Sequence, residues 1–280
     1  MEAKQLDSSY ANKQALDGIN QIWKNLVPLK SEKYIPILGI SGGQGTGKST
    51  LSEFIANVLK ITKGINTIII SIDDFYLSKH DRKTLALNTH PLLEKRGVPG
   101  THNAENLFST LQLLNRGYLG FKIPKFDKLL DDILPESSFQ IIDKPYDLVI
   151  FEGWCIGAEP EQDICTPLND LERQHDPNGI YRQYVNQAID DYQAIFKCVD
   201  QLLYLDAPSI DLIVNWRYQQ ELQMLENKGE IGLDKQAIKQ KIMAFVSYFE
   251  RITLSMKKTM PSRADYLIEL DSNHKMKWHI

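Results

Sequence analysis

Hydrophobic residues occur along the chain in two patterns, short continuous runs and longer stretches with helical spacing. Continuous runs are typical of strands buried on both faces of a parallel sheet, and apolar spacings of three and four residues are typical of amphipathic helices. The continuous runs predict five strands, at residues 35–40, 67–72, 147–151, 201–205 and 265–270. Helical spacing predicts six helices, at residues 8–27, 48–60, 104–114, 180–196, 209–226 and 234–256.

The segments between these elements are polar and carry turn-forming residues. Residues 78–103 predict a loop with room for one short helix, and residues 155–179 predict a second loop. Residues 117–146 are predicted to form an excursion over the edge of the sheet, which can hold a small hairpin. Residues 228–232 are predicted to separate the last two helices. The sequence shows no internal repeat, low-complexity tract or clear domain linker.

Alternation of strands and helices calls for a mostly parallel sheet with helices on both faces and right-handed crossovers. We therefore predict one α/β domain of three layers over residues 1–280, with a five-stranded sheet and an N-terminal helical extension over residues 1–30. Ligands of such sheets bind outside the carboxyl ends of the strands. Three predicted strands are followed by an acidic residue, and the first two of these should lie near the end of the first strand: Asp73, Glu152 and Asp206.

Composition and charge exclude several classes of protein. With 280 residues, 42% of them hydrophobic and 24% charged, the chain can bury a full core in one domain or two small ones. The net charge of −4 gives no indication of a general nucleic-acid-binding surface, which would require a basic domain. The three cysteines show no C-x-x-C spacing, which favours reduced thiols over a disulfide framework or a zinc site. No apolar leader and no run of about 18 apolar residues occur, so we expect a cytoplasmic protein that is not embedded in a membrane.

The motif with the most specific chemistry follows the first predicted strand. Residues 42–49 match the P-loop pattern G-x-x-x-x-G-K-[ST], and a predicted helix follows. Glycines let backbone N–H groups approach phosphates, Lys48 can reach the outer phosphates, and the Ser49 hydroxyl can hold Mg²⁺. The motif predicts nucleotide binding without distinguishing a kinase from a switch GTPase or a motor ATPase. The residues assigned to the nucleotide are Gly42, Gly43, Gln44, Gly45, Thr46, Gly47, Lys48, Ser49 and Thr50.

Acidic residues at the strand ends are candidates for metal binding and for general base catalysis. Glu152 occupies the position of a Walker-B carboxylate and can hold Mg²⁺ together with Ser49, the alternative being a solvated acid at a strand end. Asp73 and Asp74 end the second predicted strand and should point to opposite sides, so that one of them faces the γ-phosphate. That carboxylate could accept the proton of an acceptor hydroxyl. The alternative is a pair of turn-forming acids.

Basic residues in two segments are candidates for binding anions. Residues 96–102 form a compact turn in which Arg96 could bind a carboxylate while Thr101 and His102 donate hydrogen bonds. The alternative is a surface loop that ends in a helix cap at Asn103. Arg217 could stabilise transferring charge from a lid over about residues 209–232, although arginines on helices are usually solvated. The remaining histidines show no ligand spacing and receive no role: His80, His90, His175, His274 and His279.

In this order the motifs resemble the D-glycerate 3-kinase family, in the phosphoribulokinase–uridine kinase–pantothenate kinase group of P-loop kinases. The resemblance covers about residues 35–272 and rests on SIDDFY, RGVPGTH, PKFDK, VIFEGW and NWRYQQE. It implies a P-loop NTPase fold with a helical lid, and transfer of the γ-phosphate of ATP, with Mg²⁺, to a small hydroxy acid such as D-glycerate. It implies catalytic roles for Asp73, Lys48, Glu152 and Arg217. It implies acceptor contacts for Asp74, Tyr76, Arg96, Thr101, His102, Lys125 and Asp127.

Two positions depart from the family pattern. Asn103 stands where an aspartate is expected, and Ile133 stands where many relatives have an arginine, which leaves the identity of the acceptor open. A kinase with a nucleoside, a pantothenate-like compound or another metabolite as acceptor is therefore an alternative. A nucleotide-dependent regulatory binding protein is another, whereas a GTPase is disfavoured because the N-K-x-D motif is absent. We expect a small-molecule partner, neither nucleic acid nor membrane, and the sequence predicts nothing about oligomeric state.

Overall fold

The computed structural model describes residues 13–227 and 234–279, and every structural statement below refers to these residues. The first five residues of the predicted helix 8–27 and the predicted break at 228–232 lie outside them. The helices are α1 (Lys13–Leu26), α2 (Lys48–Lys63), α3 (Lys79–Asn88), α4 (Ala104–Asn115), α5 (Asp170–His175), α6 (Ile180–Asp191), α7 (Gln193–Phe196), α8 (Ile210–Asn227), α9 (Lys235–Ser247) and α10 (Glu250–Thr259).

A six-stranded sheet forms the centre of the fold, with the strand order β10-β9-β8-β1-β7-β2. All neighbouring pairs are parallel except β9 and β10. Two small antiparallel pairs, β3 with β6 and β4 with β5, lie in the excursion predicted for residues 117–146. The strands are β1 (Ile37–Gly42), β2 (Thr67–Ser71), β3 (Phe121–Ile123), β4 (Phe126–Asp127), β5 (Asp132–Ile133), β6 (Gln140–Ile142), β7 (Leu148–Gly153), β8 (Gln201–Asp206), β9 (Tyr266–Leu270) and β10 (Met276–His279).

Helices cover both faces of the sheet, as predicted, because neighbouring side chains of one buried strand point to opposite faces. On β7, Val149 and Phe151 pack into a core with α4, α6 and α10. Leu148 and Ile150 of the same strand pack into a second core with α1 and α2. The three-layer α/β fold is therefore confirmed. No helix among residues 13–227 and 234–279 combines the length and apolar character needed to cross a membrane.

Several predictions about elements are wrong in detail. The sheet has a sixth strand, β10, which is four residues long and buries alternate residues at the sheet edge, so it lacks the continuous apolar run used to find the others. The predicted helix 180–196 is divided at Tyr192, and the predicted helix 234–256 is divided at Tyr248 and Phe249. The predicted loop 155–179 contains α5. The single-domain interpretation of residues 1–280 stays a prediction.

The position of the two adjacent acids also differs from the prediction. β2 ends at Ser71, and Asp73 and Asp74 lie in a 3₁₀ turn, Ile72–Phe75, not on the strand. The Ser71 hydroxyl accepts a hydrogen bond from the Asp73 N–H at 3.3 Å and thereby caps this turn. The carboxylates of Asp73 and Asp74 still point in different directions. The cause is the conformation of the turn and not the alternation of side chains along a strand.

Candidate active site

The P-loop connects the end of β1 to the start of α2. Gly47 precedes the helix with a φ of 88°, a left-handed conformation that favours glycine. The Thr46 hydroxyl and the Lys48 ammonium both donate to the carbonyl oxygen of Gly43, at 2.8 and 2.9 Å, and so hold the loop closed on itself. The first N–H groups of α2 have no partner within the helix, which makes this end a site for phosphate oxygens.

Ser49 and Glu152 meet beside the P-loop, as the sequence predicts. Ser49 lies in the first turn of α2, and Glu152 is the penultimate residue of β7 and is buried. The Ser49 hydroxyl donates to Oε1 of Glu152 at 3.2 Å. A hydroxyl and a carboxylate are oxygen ligands that suit Mg²⁺, which usually takes its remaining ligands from water and substrate phosphates. The described residues include no group of three or more His, Cys, Asp or Glu side chains that could hold a metal ion by themselves.

Asp73 lies opposite the P-loop lysine and is engaged through both carboxylate oxygens. The Tyr76 hydroxyl donates to Oδ1 at 2.7 Å, and the Lys128 ammonium donates to Oδ2 at 2.6 Å. Burial by itself would raise the pKa of Asp73, but the charge and hydrogen bond of Lys128, together with Tyr76, outweigh it and hold this pKa below its ordinary value. Burial lowers the pKa of Lys48, an effect that Glu152 and Asp73 oppose.

The carboxylate of Asp74 points away from that of Asp73. It contacts the segment between β3 and β6. It forms an ion pair with Lys125 at 2.6 Å and accepts a hydrogen bond from the Phe126 N–H at 3.4 Å. Asp127 accepts hydrogen bonds from the N–H groups of Leu129 and Leu130 at 2.7 and 3.0 Å. Asp74, Lys125 and Asp127 therefore stabilise a turn in this structure.

A cavity of about 680 Å³ lies at the carboxyl ends of β1, β2 and β7. It brings together the predicted residues Lys48, Ser49, Asp73, Tyr76, Arg96, Glu152 and Arg217, with Gln44, Gly45, Gly47 and Thr50 of the P-loop. Its wall also contains residues to which the sequence analysis gave no role: Lys95, Gly97, Lys128, Asp131, Gly153, Trp154, Gln220, Lys241, Ala244, Phe245 and Phe249. Asp74, Thr101, His102, Lys125 and Asp127 are not among the described residues that line it.

Thr101 and His102 support the cavity wall from behind. The Thr101 hydroxyl is fully buried, donates to the carbonyl oxygen of Val98 at 2.7 Å and accepts from the Gly97 N–H at 3.1 Å. The His102 ring stacks on Tyr76 with centroids 4.5 Å apart, and its Nδ1 lies 2.9 Å from the Tyr192 hydroxyl. Burial lowers the pKa of His102 to about 4, so this ring is neutral near pH 7. The prediction that both side chains donate directly to an acceptor is therefore not supported by their placement.

Arg96 lines the cavity, but its guanidinium is already paired. It binds the carboxylate of Asp131 and donates to the carbonyl oxygen of Lys128 at 3.1 Å. Asp131 has a φ of 57°, and its carboxylate also lies 2.7 Å from the fully buried Arg82. Arg82 donates in addition to the carbonyl oxygens of Leu77, Glu94 and Asp131. Arg82 and Arg96 thus hold the segment 128–131 over the cavity. The sequence analysis did not identify Arg82, because it belongs to no recognisable motif.

Arg217 reaches the cavity from α8. Its guanidinium lies 3.3 Å from the side-chain oxygen of Gln220 and 3.6 Å from Glu221, and its Nε has no hydrogen-bond partner among the described residues. The cavity position fits the predicted contact with phosphates. The part of the predicted lid at 228–232 lies outside the described residues.

The comparisons with known proteins agree with this geometry. No protein-family model matches the chain. An uncharacterized kinase of Schizosaccharomyces pombe is 35% identical over 193 residues, which are 66% of this chain and 69% of that protein. The chloroplastic D-glycerate 3-kinase of Arabidopsis thaliana is 26% identical over 239 residues, 82% of this chain and 50% of that protein.

A solved structure shows the same fold. The D-glycerate 3-kinase of Cryptococcus neoformans matches 99% of this chain and 100% of its own with a TM-score of 0.72, at 19% identity. A kinase relative is 35% identical, a D-glycerate 3-kinase is among the sequence relatives, and the P-loop shares one cavity with Asp73 and Glu152, so the chain belongs to the D-glycerate 3-kinase family of P-loop kinases.

Proposed function

We propose that this chain transfers the γ-phosphate of ATP to a hydroxyl of a small hydroxy acid, with D-glycerate as the acceptor. One observation carries the proposal: Lys48, Asp73 and Glu152, which follow three different strands, line one cavity. Phosphoryl transfer needs a cation at the phosphates, a metal-holding carboxylate and a group that takes the acceptor proton. These three side chains can supply those three functions in one place.

The nucleotide end of the cavity is formed by the P-loop. Backbone N–H groups of residues 42–50 would bind the phosphate chain, and Lys48 and Arg217 would place positive charge beside the transferring group. Ser49 and Glu152 would hold Mg²⁺, which when bound neutralises charge on the phosphates. Activity should therefore be lost in excess EDTA and return when Mg²⁺ is added, and full turnover in EDTA would exclude this assignment.

The acceptor end of the cavity contains Asp73. As the acceptor oxygen bonds to the γ-phosphorus, its proton passes to the Asp73 carboxylate, and the bond from phosphorus to the β–γ bridging oxygen breaks to release ADP. Six basic side chains and three acidic ones line the described part of the cavity, which favours an anionic acceptor over a neutral one. Tyr76 would orient Asp73 through its hydrogen bond.

An acceptor screen coupled to ADP release tests the proposal. D-glycerate, other hydroxy acids, pantothenate and uridine would be compared with a reaction that lacks acceptor. We expect D-glycerate to stimulate ADP release and Lys48→Ala to abolish the stimulation. Stimulation by uridine or pantothenate instead would show another acceptor. ATP binding without stimulation by any acceptor would favour a regulatory binding protein.

A further inference from the structure

The ion pair between Lys128 and Asp73 places a cation on the proposed base. The ammonium of Lys128 lies 2.6 Å from Oδ2 of Asp73, and both residues line the cavity. The side chain of Lys128 is 60% exposed and that of Asp73 is 28% exposed. An ion pair of this exposure is weak because water and salt screen it. A ligand entering the cavity can therefore displace it.

The backbone that carries Lys128 is held firmly while the side chain is not. The carbonyl oxygen of Lys128 accepts a hydrogen bond from Arg96 at 3.1 Å. Asp131, three residues on, is held by Arg82 and Arg96 together. The backbone at Lys128 is therefore fixed. The long lysine side chain can exchange one partner for another without movement of the loop.

An ammonium on Oδ2 makes Asp73 a weaker base, because protonation of the carboxylate would forfeit the attraction to Lys128. A neutral acceptor offers nothing that would draw the ammonium away. An acceptor with its own carboxylate close to the reacting hydroxyl offers Lys128 a second partner inside the same cavity. The hydroxyl can then meet Asp73 while the ammonium binds the acceptor.

We propose that Lys128 determines acceptor specificity by exchanging Asp73 for the carboxylate of an anionic acceptor, so that the base is released when such an acceptor binds. The inference rests on the proposed function. It assigns the acceptor carboxylate to Lys128 and not to Arg96, the residue favoured by sequence alone, because the Arg96 guanidinium is bound to Asp131. Lys95 lies over the Tyr248 ring at 4.9 Å, and Arg217 is assigned to the phosphates of ATP.

The test compares D-glycerate with glycerol, which keeps the hydroxyls and lacks the carboxylate. In Lys128→Gln, kcat/KM for D-glycerate should fall about ten- to a hundredfold, the range for loss of a hydrogen bond to a charged group. For glycerol, kcat/KM should stay constant or rise, since the base is no longer paired. Lys128→Arg should keep the preference for D-glycerate. Lys122→Gln, which removes an exposed ion pair with Glu136 at 2.9 Å, is the matched control and should behave as wild type.

A second measurement does not depend on turnover of glycerol. Propionate has a carboxylate and no hydroxyl, and its inhibition constant against D-glycerate should rise about ten- to a hundredfold in Lys128→Gln and not in Lys122→Gln. Equal losses for D-glycerate and glycerol, or an unchanged inhibition constant for propionate, would overturn the assignment of Lys128. The wild-type enzyme tests the proposed function separately, because failure of every hydroxy acid to stimulate wild-type ADP release refutes that function whatever the variants do.

Discussion

The imidazole of His274 lies against the indole of Trp216, with ring centroids 3.9 Å apart. His274 is in the turn between β9 and β10, and its Nε2 lies 3.0 Å from the carbonyl oxygen of Gly45 in the P-loop. Because a carbonyl oxygen accepts, this nitrogen must donate its hydrogen. The Trp216 indole N–H also donates to the carbonyl oxygen of Ser272 at 3.2 Å. The C-terminal hairpin therefore joins the P-loop to α8, which carries Arg217.

His274→Ala should weaken nucleotide binding and leave chemistry nearly intact. The variant loses the hydrogen bond that positions Gly45, and one such bond is worth about 1 kcal/mol, or roughly fivefold in KM for ATP. The value of kcat should change little. His274→Gln can donate from a similar position and should recover most of the affinity. His80→Ala, which changes an exposed histidine at the start of α3, is the control. A fall in kcat with KM for ATP unchanged would contradict this positioning role.

Lys48→Ala should abolish phosphoryl transfer while the fold survives. Among the described residues the ammonium makes one hydrogen bond, to Gly43, and burial lowers its pKa, so its removal costs little stability. Loss of charge at the phosphates should lower kcat by about 10² or more. Circular dichroism and the melting temperature should stay close to wild type. Lys60→Ala, at the far end of α2, serves as the control. Wild-type kcat in Lys48→Ala at an unchanged melting temperature would remove the basis for the P-loop assignment.

Asn substitutions at the adjacent acids should have unequal effects. Asp73→Asn keeps the shape of the side chain but cannot take a proton, so kcat should fall by about 10²–10⁴ with ATP binding nearly intact. Asp74→Asn loses the charge paired with Lys125 and should act mainly on stability or on KM. Steady-state kinetics and equilibrium ATP binding, measured on both variants, show which of the two acids is the catalytic base. The assignment is wrong if Asp74→Asn is the inactive variant and Asp73→Asn turns over normally.

Protonation of His102 should destabilise the fold in mild acid. Burial lowers the pKa of this imidazole from 6.5 to about 4, although the Asp73 charge opposes the shift. Between these two pH values the unfolded chain binds more protons than the folded one, so the free energy of unfolding falls as the pH falls. The contribution is complete above pH 6.5 and is lost progressively down to pH 4, and a shift of this size corresponds to about 3 kcal/mol.

Urea unfolding at a series of pH values checks this expectation. His102→Asn removes the titrating ring and keeps an amide near the Tyr192 hydroxyl, so its stability should vary less between about pH 7 and pH 4.5. His80→Asn should follow the wild-type curve because His80 is exposed. The same pH dependence in wild type and His102→Asn would show that another group is responsible.

The sequence by itself determined the layered fold and the nucleotide end of the cavity. Buried strands and amphipathic helices leave local periodic patterns, so the five parallel strands are identifiable without a structure. The P-loop is contiguous, and Glu152 follows an apolar strand that parallel topology must place beside it. Strand β10 was missed because an edge strand of four residues carries too weak a pattern.

Tertiary structure alone decided which charged side chains face one another at the acceptor end. Lys128 is 55 residues from Asp73, Arg96 is 35 residues from Asp131, and His274 is 229 residues from Gly45. A charge in the sequence indicates that a side chain can pair, but its partner depends on where the connecting segments fold. For the same reason Arg96 was predicted to hold the acceptor and is instead held by Asp131, whereas Lys128 lies on the proposed base.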